Sequence, residues 1–117
     1  MAKRAISPTR AAADALVVLG TQIRTARHDK NWTAADLGMR IGADPRTVTA
    51  IERGSAGVSI GTVFSAASVL GVPLFVDDDD ERARLRRRGE ERVALIPSRE
   101  YQPRSTTGPD ADDALAF

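Results

Sequence analysis

The segment Thr33–Gly54, T-A-A-D-L-G-M-R-I-G-A-D-P-R-T-V-T-A-I-E-R-G, leaves this chain little freedom. It carries two helix starts and two helix stops in close succession. Thr33 is placed to act as an N-cap, and Asp36, three residues on, completes a capping box with Asp in place of the usual Glu or Gln. Trp32 before the cap and Leu37 at the fourth helical position form a hydrophobic staple. Leu37 and Ile41 recur at i, i+4 and give the helix one apolar face. Gly42 ends it, because glycine enters the left-handed backbone region without steric cost. Asp44 is a second N-cap, and Pro45 stands at the first helical position, where a missing N–H costs nothing. Val48 and Ile51 form the inward face of this second helix, and Gly54 stops it. Two short helices joined by a tight turn are expected.

The flanks extend the helical pattern. From about Thr9 to His28, Leu16, Leu19, Ile23 and Ala26 follow helical spacing. Asn31 beyond them suits a left-handed cap. A loop, Ser55–Val58, leads to Ser59 as N-cap of a helix over Ile60–Leu70, which buries Val63, Ala67 and Leu70 and closes at Gly71. Val72–Val76 is an apolar run with strand character, which Pro73 restricts to a sheet edge or a strand start.

Composition changes abruptly after Val76. Residues 1–76 hold nine Lys and Arg against five Asp and Glu, whereas residues 77–117 hold eight Arg against eleven acids. The run D-D-D-D-E-R-A-R-L-R-R-R-G-E-E-R places acids before arginines, which suits a helix dipole. Asp78–Arg82 and Asp80–Arg84 are spaced as i, i+4 pairs. With only Ala83 and Leu85 as apolar members, the segment reads either as a solvated helix or as a stretch disordered in the free protein. A second apolar run, V-A-L-I-P-S-R, follows. The expected organisation is a flexible basic arm over 1–10, a helical domain with its strand over 11–76, a charged extension over 77–97 and a disordered tail over 98–117.

Several classes of function find no support. Cysteine is absent and His28 is the single histidine, so neither a disulfide frame nor a Cys/His metal site is expected. The acids Asp77–Glu81 lack the Gly spacing of a calcium loop. No nucleophile–base pair and no phosphate-binding glycine loop is present, so neither an enzyme nor a bound cofactor is expected. No apolar run approaches the 18 residues that argue for a membrane span, and the basic N-terminus lacks a secretory h-region. A cytoplasmic protein is the default expectation.

Motifs spread over residues 19–74 resemble the Cro/C1-type (XRE) helix-turn-helix family: L-G-T-Q-I-R-T-A-R, then T-A-A-D-L, then G-A-D-P-R-T-V-T-A-I-E-R-G, and finally A-S-V-L-G-V-P-L. The resemblance implies an all-α, lambda-repressor-like bundle of four to five short helices, with a short C-terminal strand in the dimer interface. It implies a homodimer that binds palindromic double-stranded operator DNA, most often to repress transcription. The helix after Asp44 would then present Pro45, Arg46, Thr49 and Ala50 to base edges. Arg46 is the foremost candidate, since Arg bonds both O6 and N7 of guanine, although a phosphate contact is an equal alternative. Thr33, Arg40, Thr47 and Arg53 are the phosphate candidates, with Lys3, Arg4 and Arg10 of the N-terminal region. An Arg27–Glu52 salt bridge is implied as a structural element. Two positions depart from the family pattern. Ala34 stands where a phosphate-contacting Gln is frequent, and Gly38 where Ala is favoured. Gly38 implies either a weaker helix or closer packing.

The extension resembles antitoxins of the HipB type, which accompany HipA-type kinase toxins. On that resemblance, Leu74, Phe75 and Val76, with Val72, pair across a dimer. The alternative is that this run closes the monomer core. The charged segment would contact the kinase toxin or fold over the dimer. The final residues, D-A-D-D-A-L-A-F, look like a tag read by an ATP-dependent protease. The competing expectations are a stand-alone regulator of the same family, or a protein-binding adaptor that has lost DNA binding.

Overall fold

The computed structural model describes residues 7–98. The expectations for Lys3, Arg4 and the C-terminal tail therefore lie outside the described residues. The chain divides after Asp77 into two units. The first contains four helices: α1 Arg10–Asp29, α2 Ala34–Ile41, α3 Pro45–Glu52 and α4 Ile60–Leu70. The second contains one helix, α5 Asp79–Ala94. The described chain is helical, and among its residues there is no strand.

Each helix begins on a side chain able to accept a backbone hydrogen bond. Thr9, Thr33, Asp44, Ser59 and Asp78 are the N-caps of α1 to α5. The Thr33 box is reciprocal: Thr33 Oγ1 accepts from the Asp36 N–H at 3.0 Å, and Asp36 Oδ2 accepts from the Thr33 N–H at 2.8 Å. Two orphan donors are satisfied at once, and such a cap is worth about 1 kcal/mol. Gly42 at φ 69 and Gly71 at φ 76 end α2 and α4 in the left-handed region. Asn31 takes the same region at φ 60.

The core of the first unit gathers Ile23 from α1, Leu37 from α2, Val48 and Ile51 from α3, and Val63, Ala66, Ala67 and Leu70 from α4, with Val72 beyond. Ile23, Leu37 and Val48 have no exposed surface. Leu19, Ala26, Trp32, Ala34, Ile41, Val58 and Leu74 pack around them, so Trp32 lies at the edge of the core.

Two helix-interior glycines set how closely the helices approach. A Cβ on Gly20 would fall 2.6 Å from the Ile51 carbonyl oxygen and 2.7 Å from that of Glu52, so the α1 backbone lies directly on the end of α3. A Cβ on Gly38 would collide with the carbonyl oxygen of Ala43. Gly38 thus serves close packing: its own carbonyl accepts the Ala43 N–H at 2.8 Å, and the turn between α2 and α3 folds back against α2.

The run after α4 differs from the expected strand. Leu74 and Val76 form an isolated bridge around Phe75, which sits at φ 73. The chain reverses there instead of extending, since Pro73 removes a donor and Phe75 leaves the β region. Val72 is 7% exposed and packs into the core of the single chain. Leu74 and Val76 are half-buried, and Phe75 is 83% exposed, with its ring edge-on to Phe64 at a centroid distance of 6.1 Å.

α5 is a helix with no buried residue. Asp78 caps it by accepting from the Glu81 N–H at 3.0 Å. Ion pairs run along its surface, Arg82 to Asp79 at 2.8 Å and Arg86 to Glu90 at 3.1 Å. Arg84 makes no ion pair with Asp80. No described helix is long and apolar enough to cross a membrane.

Candidate nucleic-acid interface

α3 presents the candidate site. Its inward face is fixed by Val48 and Ile51, so helical geometry turns Pro45, Arg46 and Thr49 outward, and all three are exposed. Thr47 and Ala50 flank them, half-buried. Arg53 follows as the C-cap and is exposed.

Asp44 organises the start of this helix. Its Oδ1 accepts from the Arg46 N–H at 2.8 Å and lies 3.4 Å from Arg46 Nε. The Arg46 backbone bond, then the Arg46 side chain, hold the Asp44 carboxyl below its ordinary range. The Arg46 side chain remains 92% exposed, so its guanidinium is tethered but open to solvent. Thr49 donates its hydroxyl proton to the Pro45 carbonyl at 3.2 Å, which leaves the oxygen lone pairs and the methyl group for a ligand.

Arg27 locks α3 from behind. Its Nε donates to Glu52 Oε2 at 2.6 Å and its second terminal nitrogen to Oε1 at 3.0 Å, a two-point pair with the side chains 11% and 7% exposed. The Glu52 hydrogen bond raises the Arg27 pKa still further above its ordinary value. The remaining Arg27 nitrogen donates to the Trp32 carbonyl at 2.8 Å. One guanidinium therefore ties together α1, the entry to α2 and the end of α3. Glu52 is engaged in this pair and is not a free acid.

At the start of α2, Thr33 is exposed but engaged in its capping box. Ala34 is half-buried against the core and offers no polar group to a phosphate. Arg40 is exposed, with its guanidinium carbon 4.0 Å from the centre of the Trp32 ring. Lys30 Nζ lies 5.5 Å from the same ring. The Lys30–Trp32–Arg40 stack escapes sequence reasoning, because its members belong to different elements and share no period. Arg10, at the first turn of α1, is exposed.

A solvent-facing helix, capped at its N-terminus and set by a tight turn against a preceding helix, is the arrangement of DNA-binding helix-turn-helix proteins. A family model described as "Helix-turn-helix domain" matches residues 18–85, more than half of the chain, and the protein belongs to that family. Domains of this family are typically DNA-binding and not enzymatic. No curated protein and no solved structure gives a match.

Proposed function

We propose that this protein is a sequence-specific transcriptional repressor that binds a palindromic operator as a homodimer. The observation that carries the reading is the exposure of Arg46 at the capped start of α3, with Pro45 and Thr49 beside it. Arg46 reads guanine, Thr49 and Ala50 contact neighbouring base edges, and Pro45 packs at the groove. Thr33, Thr47, Arg40 and Arg53 contact phosphates, with Lys3 and Arg4 from the N-terminal arm. Dimerisation uses Phe75, with Leu74 and Val76. The support is the exposed Phe75 ring, because an apolar side chain of this size left 83% exposed gains by meeting a partner. The test is selection of a bound duplex from a random pool, followed by a binding titration with Arg46→Ala. Loss of discrimination against a changed guanine supports the reading. Equal affinity of the variant for selected and scrambled duplexes, when the native protein also shows none, rejects it in favour of a protein-binding adaptor.

The antitoxin reading draws on α5. This helix buries nothing, yet Leu85, Val93, Leu95 and Ile96 are exposed along it and just beyond its end. A HipA-type kinase toxin that covers this segment would explain its charge and its apolar residues. Co-purification from the native host decides the matter: a stoichiometric kinase-like partner supports the antitoxin, and its absence leaves a stand-alone regulator.

A further inference from the structure

We propose that Lys30 and Arg40, held on the Trp32 ring, form a clamp for one backbone phosphate of duplex DNA. The inference rests on the DNA-binding reading above and adds Lys30 and Trp32 to it.

The guanidinium of Arg40 lies 4.0 Å from the Trp32 ring centre, and Lys30 Nζ 5.5 Å from it. Both distances lie within cation–π range. Stacking fixes the plane of the guanidinium and leaves its N–H edge for an anion. Among the described residues neither cation forms an ion pair. Two like charges within cation–π range of one ring repel each other, and an anion beside them relieves the repulsion. Asp36 is the carboxylate whose field reaches Arg40. It is committed to the Thr33 N–H at 2.8 Å, and the cluster keeps a surplus positive charge.

The platform is also fixed relative to α3. The Trp32 N–H donates to the Arg27 carbonyl at 3.1 Å, the Trp32 carbonyl accepts from Arg27, and Arg27 grips Glu52 at the end of α3. A phosphate held on the clamp is therefore held in register with the helix that carries Arg46. Arg40 already covers the ring, which argues against Trp32 as a platform for an unpaired base.

Trp32 is the sole tryptophan, so its emission reports the clamp in the intact chain. Titration with the selected duplex is expected to change that emission. Lys30→Gln with Arg40→Gln is expected to reduce the slope of log K against log salt by about 0.9, the value for one phosphate. Affinity for specific and scrambled duplexes should fall by the same factor, and Arg40→Lys should restore most of the slope. An unchanged slope in the double variant, with native discrimination by Arg46, overturns the clamp and leaves the DNA-binding reading intact. An equal emission change with inorganic phosphate at the concentration of the duplex overturns the assignment to duplex backbone. Absence of duplex binding by the native chain at low salt rejects both readings together.

Discussion

Arg27 and Glu52, 25 residues apart, meet through two parallel hydrogen bonds of 2.6 and 3.0 Å. The pair closes the bundle behind the exposed helix, and both side chains are almost fully withdrawn from water. Removing one partner strands the other charge. Glu52→Ala is expected to destabilise the first unit by about 3–5 kcal/mol. Urea denaturation followed by circular dichroism measures it. An unchanged midpoint would show that the pair contributes nothing to the fold.

The close approach at Gly20 gives a second expectation. A methyl group there meets two backbone carbonyls, which cannot rotate away as a side chain would. Gly20→Ala should cost about 1–3 kcal/mol through overpacking, although alanine is the better helix former. Gly38→Ala should follow the same direction, because its Cβ meets the Ala43 carbonyl. Gly61 and Gly89 have open space at their Cβ positions, so alanine there is expected to stabilise or leave stability unchanged. Thermal melts of the four variants test the contrast, and four equal shifts would contradict it.

Acid should loosen α2 and α3 at their starts. Asp36 is held below its ordinary pKa of 3.8 by the Thr33 backbone bond first and the Thr33 side chain second, and Asp44 by the corresponding bonds of Arg46. A carboxyl whose folded-state pKa is depressed adds stability that is fully present above its unfolded value. That stability is lost as pH falls through the folded value. The urea midpoint should therefore drop between about pH 5 and pH 2, and less steeply in an Asp36→Asn, Asp44→Asn double variant. Identical pH profiles for variant and native protein would count against these caps as the source.

Phe75 separates folding from association. Its backbone at φ 73 is strained for a residue other than glycine or asparagine, by about 1–2 kcal/mol. Its ring is largely in water. Phe75→Asn relieves the backbone and removes the apolar ring, so the melting temperature of the monomer should hold or rise while self-association weakens. Sedimentation velocity alongside a thermal melt reads both. A marked fall in melting temperature for a monomeric sample would make Phe75 a fold residue instead.

Helix boundaries were legible because they are encoded locally. Thr33, Asp44 and Ser59 start helices, and Gly42, Asn31 and Gly71 stop them, each through a backbone preference that needs no tertiary information. The burial of Val48 and Ile51 likewise settled which face of α3 points outward. Arg27–Glu52 came only through family resemblance, since no local pattern links positions so far apart. Gly20 was illegible for another reason. A glycine within a helix reads as a small propensity loss, and only the position of α3 reveals that nothing larger fits. At Phe75, the apolar run argued for an extended strand, and the burial of Val72 and Leu74 in the monomer outweighed that local preference.

Asp44 has one further consequence. Because the same carboxylate caps α3 and lies beside Arg46, the free protein carries its own competitor for that guanidinium. Only Nε of Arg46 faces Asp44, at 3.4 Å, and with the side chain 92% exposed an anion on the terminal nitrogens meets little opposition. The carboxylate therefore holds the guanidinium near the start of α3 without closing it to a ligand.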